Sequence, residues 1–294
     1  IGPSPFRRVE RVVKELDERI ERAAGSRPVR YEARSGGYST ADRYAVALAD
    51  GRSVFVKSAE APNLAGWLRR EHEVYTALSG SFIPALVGWD DDGVRPLLAI
   101  EDLSDADWTP RWDEARVAAV LVALDELANA TPPGNTPRVR ESFADLFDRW
   151  RVVEADPGPF LSAGLRDKAW LDRALPVILA AVDSAPVDGD SVCHLDVRSD
   201  NLCFRDGRAV LVDWNWASLA NPAVDVAGWL PSMTVEGGPP PWEVLPGAGG
   251  LAAWIGGVWA AVVGLPPPAT APNVRDLQRR QLAVALDWID RELL

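Results

Sequence analysis

The chain has 294 residues, 47% of them apolar, enough for one large domain or two compact ones built around a real core. Forty-three acidic against 31 basic side chains leave a net charge of −12, a field that repels phosphate backbones and argues against nucleic acid as a partner. Two cysteines, Cys193 and Cys203, and two histidines, His72 and His194, are too few for a disulfide framework or a His-rich metal site. The longest apolar stretch, Leu251 to Leu265, has 15 residues and falls short of the roughly 20 that span a membrane. With no apolar signal-like segment in the first 25 residues, the expected setting is a reducing cytoplasm, with neither a membrane nor an obligate protein partner.

Residues 5 to 25 place Val9, Val12, Val13, Leu16 and Ile20 at helical spacing among charges, and Gly25-Ser26 closes the pattern, which predicts a surface helix. Strands follow at Val29 to Ser35, Arg43 to Ala49 and Ser53 to Lys57. The last two are joined by Asp50-Gly51, a dipeptide that favours a two-residue hairpin turn. A helix from about Leu64 to Ser79, with Asn63 as its N-cap, precedes apolar segments at Leu86 to Trp89 and Pro96 to Glu101 that complete a five-stranded sheet. From about residue 111 the pattern turns helical, over 111 to 130, 141 to 153, 168 to 185 and 273 to 294, with Leu251 to Leu265 as buried helix and 237 to 250 as a loop. This helical part is interrupted once, at Ser191 to Val212, where short β-like runs bracket a polar turn. The class is α+β.

That turn reads Cys193-His194-Leu195-Asp196-Val197-Arg198-Ser199-Asp200-Asn201: an H-x-D followed by Asn five residues after the Asp, with Asp213 twelve residues further on, behind the apolar run Ala209 to Val212. Phosphoryl transfer from ATP needs one carboxylate to orient or deprotonate the attacking hydroxyl, and a separate Asn and Asp as oxygen ligands of Mg²⁺. Asp196, Asn201 and Asp213 fit those roles; the bland alternative is a loop of solvated turn formers. A Ser-His-Asp hydrolase would need a G-x-S-x-G elbow, which is absent.

With these residues the sequence resembles the aminoglycoside phosphotransferase family, small-molecule kinases of protein-kinase-like fold, over nearly its whole length. The family usually writes His-Gly-Asp where this chain has His194-Leu195-Asp196, and Gly-Asp-Pro-x-x-Asp where it has Ala220-Asn221-Pro222-Ala223-Val224-Asp225. The resemblance implies a bilobal fold, with a nucleotide-binding lobe over 1–101 and a helical lobe carrying the catalytic loop and substrate site over 102–294. It implies a catalytic Asp196, Mg²⁺ ligands Asn201 and Asp213, a His194 that holds the loop by hydrogen bonds, and an Asp225 that braces it.

A kinase site also needs a cation over the phosphates and a carboxylate to hold that cation. Lys57 closes the strand Ser53 to Val56 and is one of only three lysines in a chain whose habitual cation is Arg. On the next helix Leu68, Glu71, Tyr75 and Leu78 share one stripe, so Glu71 faces the sheet and needs a partner, whereas Glu73 faces water. Gly36, Gly37 and Ser39, in a small-residue loop between two strands, are candidate phosphate contacts through backbone N–H groups and a hydroxyl. By the resemblance, Leu97 to Leu103 is the adenine hinge, with Glu101 offering its carbonyl, Leu103 its N–H, and Ile100 an apolar wall. Arg198 is a candidate for countering charge on the transferring phosphoryl.

Only 11 residues separate Asp213 from Asp225, too few for a peptide-binding segment, so the expected acceptor is a small hydroxyl compound. Trp229, Glu236, Trp242 and Trp254 are candidate acceptor contacts. Few acids occur around them, which favours a less cationic, nucleoside-type antibiotic over a polycationic aminoglycoside. The expected donor is ATP, with GTP left open. The rival readings are a metabolic sugar or amino-alcohol kinase, a catalytically silent nucleotide-binding protein and, with least support, a protein-binding module.

Overall fold

The computed structural model describes residues 5–34, 42–109, 111–268 and 271–294. The chain forms two compact units, one of residues 1–107 with 210–215, the other of 108–209 with 216–294. A short later segment, 210–215, belongs to the first unit. That segment is tied in by Leu211 N–H donating to the Phe82 carbonyl at 2.7 Å and by Trp214 set edge-on to Phe82.

The first unit opens with helix α1 (Pro5–Ala24), followed by strands β1 (Pro28–Ala33), β2 (Asp42–Leu48) and β3 (Ser53–Ser58), helix α2 (Pro62–Ala77), and strands β4 (Leu86–Asp91) and β5 (Pro96–Glu101). The five strands form one antiparallel sheet in the order β1-β2-β3-β5-β4, so β3 is central and β5 is paired on both sides. Ile20 and Ala24 of α1 pack with Val46, Leu48, Val54, Val56, Leu97 and Ala99 in one apolar cluster, so the helix read as a surface element buries one face in the core. A fully buried Ile contributes roughly 1.5–3 kcal/mol. Gly88 permits the close approach of helix and sheet, since a Cβ there would lie 1.7 Å from the Ala23 carbonyl oxygen.

Two local expectations are corrected here. The β2–β3 connection is longer than two residues, running from Ala49 to Arg52: Leu48 N–H donates to the Arg52 carbonyl, Gly51 N–H closes a turn onto the Leu48 carbonyl, and Gly51 takes φ +87°. Helix α2 begins two residues earlier than expected, with Ala61 as N-cap and Pro62 in the first turn, where its missing N–H costs nothing, so Asn63 is inside the helix.

The second unit contains α3 (Glu114–Ala128), α4 (Val139–Ser142), α5 (Arg149–Ala155), α6 (Gly158–Ser162) and α7 (Lys168–Asp183). Strands β6 (Ser191–Cys193), β7 (Leu202–Arg205), β8 (Arg208–Leu211) and β9 (Ser218–Ala220) follow, then α8 (Ala223–Val235), α9 (Pro241–Val244), α10 (Gly249–Ala260) and α11 (Val274–Leu293). Asp113 and Asp167 cap α3 and α7 by accepting the N–H of Arg116 and of Trp170. The helix expected over 141 to 153 is broken into α4, a 3-10 turn at Ala144–Leu146, and α5. Its apolar spacing is helical, but Phe143 leaves helical geometry to stack on Trp216 while Phe147 tilts against Trp254, and these contacts override the local pattern. The expected 237–250 loop holds the short helix α9. A two-residue hairpin does occur, at Asp206-Gly207 between β7 and β8, where both residues have positive φ. Among the described residues no helix is long and apolar enough to cross a membrane.

Candidate active site

Each unit carries its own polar cluster. In the first, strand alternation sends Val54 and Val56 into the core cluster with α1, leaving Phe55 and Lys57 on the opposite face. Lys57 sits opposite Arg43 on one side and Leu98 on the other, buried to 7% exposure. The buried stripe of α2 (Leu64, Leu68, Glu71, Val74, Tyr75) includes a single carboxylate, Glu71. Lys57 Nζ donates to both Glu71 oxygens, at 2.7 and 3.0 Å, and to Asp213 Oδ1 at 3.1 Å. Burial alone would favour the neutral amine, but the carboxylates of Glu71 and Asp213 outweigh it and hold the ammonium above the ordinary lysine range. Asp213 lies just past β8 at φ +70°, with about a third of its side chain (35%) exposed. Glu73 pairs with Arg70 on the outer face.

The other candidates of this unit differ in what surrounds them. Gly36, Gly37 and Ser39 lie outside the described residues. Ile100 is buried between Phe55 and Leu86 in the middle of the sheet, and Leu103 is buried beyond the strand end. Glu101 donates its N–H to the Ala85 carbonyl, and its carboxylate accepts the Ala85 N–H. The path after β5 is fixed by Asp102, which accepts from Ser53 and from the backbone and hydroxyl of Ser104. Burial opposes that charge, but these hydrogen bonds outweigh it and hold the Asp102 carboxyl below its usual range.

The second cluster is the loop between β6 and β7. Leu195 adopts φ +63°, a left-handed conformation that costs a residue with a Cβ roughly 1–2 kcal/mol. This is where the resembled family writes Gly. The turn is held by Asp225, in the first turn of α8, whose two oxygens accept the N–H of His194 at 2.6 Å and of Leu195 at 2.7 Å. Burial pushes the Asp225 carboxyl up to about 7, partly offset by those two backbone donors. His194 is fully buried, and its Nδ1 accepts the Asp196 N–H at 3.2 Å. Asn221, which stands where the family has Asp, accepts the N–H of Ala223, the first residue of α8, a task that needs only an amide oxygen.

Asp196 is bracketed by its loop neighbours. Asn201 Nδ2 donates to its carbonyl at 3.0 Å and to its carboxylate at 2.9 Å. The amide nitrogen is thereby committed to Asp196, and Oδ1 is the Asn201 atom suited to coordination. Arg198 lies 3.1 Å from Asp196 Oδ1 and 3.1 Å from Asp200 Oδ2, so its charge is shared between two loop carboxylates. Among the described residues no group of three or more His, Cys, Asp or Glu side chains forms a metal cage.

Two of the three tryptophan candidates are buried. Trp229 is fully buried, edge-on to Trp112, and Trp254 is 3% exposed against Phe147, so both are core side chains. Trp242 is half-buried beneath the Arg291 guanidinium, 5.3 Å from the ring centroid. Glu236, the C-cap of α8, accepts from Ser199 Oγ at 2.5 Å and from Trp112 Nε1 at 2.9 Å. Neither Ser199 nor Trp112 is among the candidates singled out from the sequence. Ser199 carried a signal, being a hydroxyl inside the motif, whereas Trp112 meets its partner 124 positions away and carried none.

A five-stranded antiparallel sheet crossed by a buried Lys–Glu pair, followed by a helical unit with an Asp-to-Asn loop, is the protein-kinase-like fold, and solved structures of that fold align along almost the whole chain. A thermostable mutant of aminoglycoside phosphotransferase APH(4)-Ia matches with a TM-score of 0.60 at 17% identity, over 94% of this chain and 98% of that one. Spectinomycin phosphotransferase APH(9)-Ia, solved with ADP and spectinomycin, matches with 0.61 at 12% identity, over 94% and 98%. A choline/ethanolamine kinase family protein from Mesorhizobium loti matches with 0.60 at 15% identity, over 93% and 99%. At these identities the likeness is one of fold. No curated protein matches by sequence. The sequence does match the phosphotransferase enzyme family (APH) over residues 30–281, and the chain belongs to that family. It is a small-molecule kinase.

Proposed function

We propose that the protein transfers the γ-phosphoryl group of ATP, with Mg²⁺, to a hydroxyl of a small antibiotic, in the cytoplasm, and so inactivates it. The observation that carries the reading is Lys57: a buried ammonium held by Glu71 and by the partly exposed Asp213. A buried pair offers little net stability over apolar packing, so a charge kept at this position points to work on an anion. Lys57 would bind the phosphates, with Glu71 fixing its position. Ile100 would wall the base, and the backbone of Glu101 and Leu103 would pair with its edge. Gly36, Gly37 and Ser39 remain candidates for further phosphate contacts.

Mg²⁺ prefers one or two protein oxygens completed by phosphate and water, and Asp213 and Asn201 Oδ1 would supply them. When bound, the ion would neutralise charge on the transferring group. Asp196 would orient the acceptor hydroxyl and take its proton as oxygen bonds to the γ-phosphorus and the bridge to ADP breaks. Arg198, released from Asp196, would face the transferring phosphoryl. His194 and Asp225 would hold the loop that presents Asp196.

The acceptor class rests on the short span from Asp213 to Asp225 and on relatives of this fold described as aminoglycoside and spectinomycin phosphotransferases. With Trp229 and Trp254 buried, the aromatic argument for a planar acceptor rests on the half-buried Trp242. An amino-alcohol acceptor is the second reading, favoured by the equally similar choline/ethanolamine kinase family structure. The test is mass spectrometry of a panel of antibiotics and amino alcohols incubated with the protein, Mg²⁺ and ATP or GTP. The expected result is one added phosphoryl group on an antibiotic, lost on Asp196→Ala. A product from amino alcohols alone, or near-normal turnover in Asp196→Ala, would overturn the reading.

A further inference from the structure

Glu236 has the chemistry of a ligand-binding carboxylate, yet both of its oxygens are engaged by the chain itself. One accepts the hydroxyl of Ser199, inside the Asp196–Asn201 loop; the other accepts the indole N–H of Trp112. Trp112 is itself fixed, 5.3 Å from Trp229 of α8 and 6.1 Å from Phe204 of β7. The same helix that braces the loop's first residues through Asp225 therefore reaches its middle through Glu236, at the opposite helix end. We infer that Glu236 is a positioning residue: it ties Ser199 to the Trp112 anchor and so sets the path of the backbone between Asp196 and Asn201. This rests on the proposed role of Asp196, and it assigns Glu236 to the loop and not to a cationic group on the acceptor.

Hydrogen-bond chemistry separates the two assignments. The indole N–H can only donate, whereas a serine hydroxyl can donate or accept. A glutamine at 236 can turn its oxygen to Trp112 and its amide nitrogen to Ser199, keeping both links without the charge. Positioning thus survives Glu236→Gln, while recognition of a cation does not.

The experiment compares hydrogen–deuterium exchange over residues 196–203 with steady-state kinetics in Glu236→Ala, Glu236→Gln, Ser199→Ala and the Ser199→Ala/Glu236→Ala double variant. Ser199→Ala removes one hydroxyl from a half-buried loop position, so it reports even if Glu236→Ala unfolds. Both alanine variants should exchange faster in that segment and lose roughly 10- to 100-fold in kcat, with acceptor KM changed less than about threefold. Glu236→Gln should restore both readouts, and the double variant should be no worse than the worse single one. Unchanged exchange in both alanine variants, or an acceptor KM raised well beyond threefold in Glu236→Gln and Glu236→Ala alike, would overturn the inference. Exchange is read without turnover, so it decides the positioning claim even if no acceptor is phosphorylated.

Discussion

The Lys57 cluster and the Asp196 loop show two ways of holding charged side chains in place. Lys57 and Glu71 stand on a central strand and a helix stripe, where regular backbone does the positioning and burial makes each charge depend on the other. Asp196 stands on an irregular loop with a left-handed Leu195, and its position is maintained by a hydrogen bond from Asn201 and by backbone N–H groups that donate to Asp225 and to His194 Nδ1. The first arrangement is broken by removing a charge. The second is broken by removing a hydrogen-bonding group, and it can be relaxed by removing strain.

Lys57→Ala should be the most disruptive to folding, because it leaves Glu71 buried without its cation, a loss of about 3–5 kcal/mol readable in chemical denaturation. Adding Glu71→Gln to that variant should recover part of the loss, and a purely additive double variant would show that the pair is not coupled. Asp225→Ala should cost less, about 2 kcal/mol, by leaving the N–H groups of His194 and Leu195 without their acceptor.

The Asp225 carboxyl also has a pH signature. Its folded pKa of about 7 lies above the ordinary 3.8, so between those values the folded chain keeps a proton that the unfolded chain gives up. The group's contribution is therefore fully present below about pH 4 and is lost as pH rises through about 7. The stability advantage of the parent over Asp225→Ala should shrink across that window; an advantage that grows with pH would refute the assignment. Smaller still, Leu195→Gly should be more stable than Leu195→Ala by about 1 kcal/mol, the reverse of the order expected inside a helix or strand, because only Gly adopts φ +63° without strain. A thermal melt of the two variants decides it.

What could be read from the chain follows the same division. Strand β5 was legible as a short continuous apolar run, and the stripe carrying Glu71 through its 3.6-residue period, because both patterns report burial directly. The polar turn at 194–201 was legible because its H-x-D and following Asn interrupt an otherwise helical pattern. The broken helix near Phe143 was not, since its stacking partner Trp216 lies 73 positions away and local spacing alone reads as a helix. Nor was the burial of Trp229 and Trp254, because a tryptophan-rich segment reads the same whether it lines a site or fills a core. The Ser199–Glu236–Trp112 link joins three distant segments and is visible only in the fold.

The most direct test of the whole account is calorimetric titration of Mg·ATP into Asp213→Ala and Asp196→Ala side by side. Nucleotide affinity should be weakened in Asp213→Ala and retained in Asp196→Ala. Affinity unchanged in Asp213→Ala, or weakened as much by Asp196→Ala, would contradict it.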